Sequence, residues 1–168
     1  TLGVTGSAAN YSSANVGTYT VSITYTLSNG TSAGLASNYS LANDTATGTV
    51  TTKSVTIGAP AVASREYDGT ETAGTVTTGS LTGLVSGESL TVSTTASDYA
   101  TANVGTHSTT ITHTLGNATG GGTGTASNYS LTNASASVNG QITAKSLTIG
   151  APSITSRARS EEHTSELQ

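Results

Sequence analysis

Residues 19–27, YTVSITYTL, alternate without a break. Tyr19, Val21, Ile23, Tyr25 and Leu27 are apolar or aromatic, and Thr20, Ser22, Thr24 and Thr26 between them carry hydroxyls. Successive strand side chains point to opposite faces, so this period of two predicts a strand with one buried face and one hydroxyl-coated face. Residues 107–115, HSTTITHTL, keep Ile111 and Leu115 on the same face, with His107 and His113 standing where Tyr19 and Tyr25 stand. That second face is weaker. Shorter strands are predicted at 55–57, 71–77, 80–84, 89–94, 129–133 and 137–143. Short strands separated by Gly- and Asn-bearing turns predict an all-β chain built as an antiparallel β-sandwich of immunoglobulin-like type, with β-grasp-like units as the alternative.

The pattern recurs along the chain. Val4 matches Val92, Tyr11 matches Tyr99, and Ala-Asn-Val-Gly-Thr at 14–18 returns at 102–106. Ala-Ser-Asn-Tyr-Ser-Leu at 36–41 returns at 126–131, and Lys53 opens a KSVTIGAP segment that returns as KSLTIGAP at 145–152. The repeating unit of about 90 residues has the size of a small domain rather than of a solenoid turn. Extra residues in the second copy fall in 117–125, NATGGGTGT, whose glycines predict a loop tip. The expected organisation is the C-terminal part of a first repeat at 1–52, a complete repeat at 53–144 and the first strand of a third at 145–158. The first copy, about 36 residues short of the second, is expected to expose strand edges and apolar surface. The joint at 50–54 is too short and too poor in Gly to be a flexible linker, so neighbouring units are expected end to end with limited bending.

Residues 159–168, RSEEHTSELQ, break the recurrence and resemble a translated sequencing adapter. Leaving them out reduces the formal charge from −4 to four basic against six acidic residues.

Composition supports strands. Ser and Thr exceed a third of the chain, and Phe, Trp, Met and Cys are absent. Thr, Val, Ile and Tyr favour pleated surfaces, and good helix formers are scarce. Charged residues make up only 8% of the chain, against roughly 25% in ordinary domains. With so few Lys and Arg there is no basic stripe for a phosphate backbone, so no nucleic-acid partner is expected. Zero cysteine excludes a disulfide scaffold, a thiol nucleophile and a Cys-ligated metal. No apolar run approaches the roughly 18 residues of a membrane helix, and no membrane insertion is expected.

The candidate residues read as backbone devices. In Tyr67-Asp68-Gly69-Thr70, Asp can accept from its own downstream backbone, Gly can take positive φ, and Tyr can anchor the turn through its ring. Asn15 and Gly17, like Asn103 and Gly105, precede the two best strands and are expected to form tight turns into them. Tyr39 and Tyr129 are expected as structural anchors. His107 and His113 share a strand face but lie about 20 Å apart at roughly 3.3 Å per residue, too far for one metal. The acids 44, 66, 68, 71, 88 and 98 lack the alternate spacing of a calcium loop, which leaves only a weak ion site between units as a metal reading. No Ser occupies a G-x-S-x-G elbow and no carboxylate pair stands out, so no catalysis and no cofactor are expected. The N-x-S/T triplets at 38–40 and 128–130 follow from composition.

Taken in order, Tyr67-Asp68-Gly69-Thr70, GSLTGLVSGE at 79–88, ANVGT at 102–106, SNYSL at 127–131 and QITAK at 141–145 resemble the YDG domain. This family is related to the "mostly bacterial glycine" repeats of filamentous-haemagglutinin-like adhesins. The resemblance implies export by a type V or two-partner route, display on the outer surface of a Gram-negative cell and service as a stalk repeat without catalytic residues. The expected function is therefore a structural spacer whose partners are neighbouring repeats. The alternative is an adhesive module binding host or bacterial surface glycans or proteins through its loops.

Overall fold

The structure, a computed structural model, describes residues 1–156. Twelve strands follow in order: β1 (Gly3–Ala8), β2 (Gly17–Ser28), β3 (Asp44–Val50), β4 (Lys53–Ile57), β5 (Ala61–Val62), β6 (Arg65–Glu66), β7 (Val76–Thr77), β8 (Leu81–Thr82), β9 (Thr91–Ala96), β10 (Gly105–Gly116), β11 (Tyr129–Leu131) and β12 (Ser135–Thr143). Single 3-10 turns at Ala36–Asn38 and Ala126–Asn128 precede the Asn-Tyr-Ser-Leu segments. The chain is all-β, as its alternation predicts.

The two copies share one three-stranded sheet pattern. β1, β2 and β3 form an antiparallel sheet in the order β1-β2-β3, and β9, β10 and β12 form the body of a sheet ordered β6-β12-β10-β9. Val4 pairs Leu27 as Val92 pairs Leu115, and Ala8 pairs Ile23 as Ala96 pairs Ile111. Gly17 pairs Val50 as Gly105 pairs Ile142. Asn29 Oδ1 accepts the Ala36 N–H at 2.8 Å, and Asn117 Oδ1 accepts the Ala126 N–H at 2.8 Å. Register follows from which residues must share a face, so identical patterns settle into identical pairings.

The second copy carries a further layer. β4 lies between β11 and β8, and β5 pairs with β7 near the edges of the larger sheet. Two pairings, β4 with β11 and β6 with β12, are parallel, where a strict antiparallel sandwich has none. Their partners lie more than seventy residues apart, and each contact is only two or three residues long. The strand expected at 71–77 shrinks to Val76–Thr77. Upstream, the Glu71 carbonyl accepts the Tyr99 N–H at 2.7 Å and the Thr72 carbonyl accepts Arg65 Nε at 2.7 Å, so the backbone there serves loop contacts instead of a ladder.

The core lies between these layers. Val55, Ile57, Tyr99, Ile111, Tyr129 and Ile142 are buried there, with Thr109 and His113 as the buried polar side chains. Burying a Val or Ile side chain stabilises by about 1.5–3 kcal/mol. Thr109 is satisfied by the Ser97 carbonyl at 2.5 Å, and His113 Nδ1 lies 2.9 Å from Thr94 Oγ1. Within residues 1–52 no side chain is buried, in keeping with the expected exposure of the first copy.

Candidate functional site

Two surfaces combine the marked residues, and they are equivalent ends of successive copies. The first is the joint between copies. β3 ends at Val50 and β4 begins at Lys53, so only Thr51 and Thr52 intervene. Across this joint Asn128 Oδ1 accepts the Val16 N–H at 2.9 Å, and Asn128 Nδ2 donates to Asn15 Oδ1 at 2.8 Å. A cavity of about 220 Å3 sits beside them, lined in part by Val16, Lys53, Glu88 and Tyr129.

Tyr129 lies beside this cavity. Its ring is buried, and its hydroxyl donates to Glu88 Oε2 at 2.5 Å while accepting the Val85 N–H at 3.2 Å. The bond to the Glu88 carboxylate pushes the phenol above its ordinary value of 10.0. That stabilisation is complete below 10.0 and is lost as pH rises through the raised value. Tyr39, at the matching place in the first copy, is 62% exposed against 7% for Tyr129. β4 explains the difference, because it pairs with β11 over Tyr129, Ser130 and Leu131, and no strand pairs with residues 39–41 among the described residues.

Asn133 completes the hold on β4. Its Oδ1 accepts the Ile57 N–H at 3.0 Å and its Nδ2 donates to the Ile57 carbonyl at 2.5 Å, so one amide reads both polar groups of one residue. Neither Asn128 nor Asn133 stands out by chemistry. Their recurrence as Asn38 and Asn43 is the signal that would have found them.

The second surface lies at the far end of the second copy. A cavity of about 390 Å3 is lined by Tyr67, Asn103, Val104, Ala144, Lys145 and Leu147. Asn103, Val104 and Lys145 are the counterparts of Asn15, Val16 and Lys53 at the joint. Tyr67 borders the cavity partly exposed, and its N–H donates to the Thr143 carbonyl at 2.8 Å. Its ring is therefore at the surface, whereas Asp68 and Gly69 form the turn. Asp68 Oδ1 accepts the Thr70 N–H at 2.9 Å, the Thr70 hydroxyl at 2.7 Å and Arg65 Nη1 at 2.7 Å. Gly69 has φ +84°, a conformation that side chains disfavour. The two Thr70 bonds and the Arg65 charge hold the Asp68 carboxyl below its ordinary value of 3.8. Arg65 also reaches the Thr72 and Thr70 carbonyls at 2.7 and 2.6 Å. It thereby ties the whole turn together from two residues ahead of Tyr67.

Ahead of the long strands the chain bends at 14–16 and at 103–104. Asn15 and Asn103 keep negative φ, and among the described residues Ala33 is the only non-glycine with positive φ. Their carbonyls accept the Tyr19 hydroxyl at 2.7 Å in one copy and contact His107 Nε2 at 2.7 Å in the other. Gly105 has φ +152°, and Gly17 has no positive φ. His107 replaces Tyr19 faithfully, stacking 5.6 Å from Tyr99 where Tyr19 stacks 5.8 Å from Tyr11. No group of three metal-binding side chains occurs among the described residues. The expectation for residues 159–168 lies outside the described residues.

What the arrangement supplies is a pair of matching ends, made of amide side chains, backbone groups and small apolar patches. Neither a curated protein nor a solved structure matches the chain. The model of the YDG domain matches residues 51–138, from just before β4 into β12. With its turn, its core strands and the Asn-Tyr-Ser-Leu segment inside that match, the chain belongs to the YDG domain family.

Proposed function

We propose that this chain is a structural spacer from a bacterial surface adhesin, in which successive YDG units stack end to end outside the outer membrane and carry an adhesive tip away from the cell. The observation that carries the reading is the joint. A connection of two residues, two bonds from one Asn128 side chain and a strand clamped directly beyond it restrict bending between copies. A spacer needs such stiffness and needs no reactive group. Its outer strand faces are Thr- and Ser-coated, and the 117–125 loop carries no aromatic ring on which a sugar could stack.

Small-angle X-ray scattering of the full chain tests this. The wild type is expected to give one narrow distribution of lengths, and Asn128→Ala is expected to broaden it while leaving the β content by circular dichroism unchanged. Equal breadth in the two proteins would overturn the stiff joint. Saturable binding to a glycan array would replace the spacer with an adhesive module.

A further inference from the structure

KSLTIGAP at 145–152 repeats KSVTIGAP at 53–60, and the two segments meet opposite fates. Val55 and Ile57 are 1% and 2% exposed, while Leu147 and Ile149 are 89% and 97% exposed. At the other end of the molecule the receiving groups for such a strand are also open. Tyr39 and Leu41 are exposed, and so is Asn43, whose side chain has among the described residues a single hydrogen bond, a long one of 3.4 Å from the Tyr25 N–H.

Resting on the stacked-repeat reading, we propose that the two ends dock on each other between molecules. The 145–149 segment of one chain, which belongs to no strand here, pairs in parallel with residues 39–41 of a second copy. The joint within the chain supplies the template. Tyr129 pairs Lys53, Ser130 pairs Ser54 and Leu131 pairs Val55. The intermolecular register is then Tyr39 with Lys145, Ser40 with Ser146 and Leu41 with Leu147. Asn43 takes the role of Asn133, reading the N–H and carbonyl of Ile149 as Asn133 reads those of Ile57. Asn38 takes the role of Asn128, bonding Val104 and Asn103 as Asn128 bonds Val16 and Asn15. The cavity at Tyr67, Asn103 and Val104 is the seat for that end of the second copy. A strand added to an open edge gains main-chain bonds, and its alternate side chains give specificity. The two surfaces differ, so the contact is head-to-tail and propagates into filaments unless it closes into a ring.

Sedimentation velocity of the full chain across a concentration series tests the proposal. Dimers and longer species are expected, and Asn43→Ala and the pair Leu147→Lys, Ile149→Lys are each expected to return the chain to monomer. The chain has no cysteine, so Ser40→Cys and Ser146→Cys single variants, mixed and oxidised, should cross-link to each other much faster than either does to itself. Association that survives these substitutions, or cross-linking without preference for the mixed pair, overturns the docking. A chain extended after Pro152 by a second copy of residues 61–144 separates the two readings. If the wild type stays monomeric while amide exchange at Leu147 and Ile149 slows in the extended chain, intermolecular docking is overturned and the repeat reading stands. If exchange stays fast in the extended chain, both fall.

Discussion

β2 and β10 are the same strand in two settings. Each runs twelve residues, each sits between the same two neighbours in the same register, and each carries an isoleucine at its centre. Ile111 is fully buried and Ile23 is only partly covered. Pairing is therefore a property of the local pattern, and burial is a property of the second layer, which covers β10 and not β2. A three-stranded sheet with one uncovered face gains its backbone bonds but little of the apolar stabilisation, so most of the free energy of folding should reside in residues 53–143.

Matched substitutions sharpen this contrast. Ile111→Ala is expected to cost about 4 kcal/mol and Ile23→Ala under about 1 kcal/mol. Urea unfolding followed by amide exchange in each copy measures both, and equal costs would mean that the first sheet has a hidden cover. Gly140→Ala comes next. A Cβ at Gly140 would run into the hydroxyl of buried Tyr99 and into half-buried Val62, and overpacking of this kind costs about 2–3 kcal/mol. Gly48→Ala meets the Tyr11 hydroxyl in the same way, but Tyr11 is exposed and can swing aside, so thermal unfolding should register less than about 0.5 kcal/mol.

Asn133→Ala leaves the Ile57 N–H and carbonyl without their partner, at about 2 kcal/mol, whereas Asn43→Ala should change the stability of the isolated chain by less than about 0.5 kcal/mol. The smallest effect belongs to the Asp68 turn. Its carboxyl is held below 3.8, so its contribution is complete above that value and is lost as pH falls through the lowered one. Nuclear magnetic resonance of the Thr70 amide should show protection falling only below 3.8. Asp68→Asn should remove that pH dependence.

Much of this was legible in the chain and some was not. The alternation at 19–27 and its echo at 107–115 locate the two long strands within two residues at each end, because a half-buried strand must alternate. The recurrence carries the register of both sheets. The parallel pairs escaped, since a contact of two or three residues between β4 and β11 has no period of its own and depends on tertiary closure. Arg65 escaped because a guanidinium organising a turn looks, in sequence, like any surface charge. Tyr67 was expected to anchor and instead borders the terminal cavity, a position that only the neighbouring strands define.

The sole ion pair among the described residues, Arg65 with Asp68, closes one turn and bridges nothing else. The bonds that cross the joint come from an amide side chain, and dissolved salt weakens charge contacts far more than such bonds. Units stacked as proposed above would keep the stiffness of their joints from fresh water to brine.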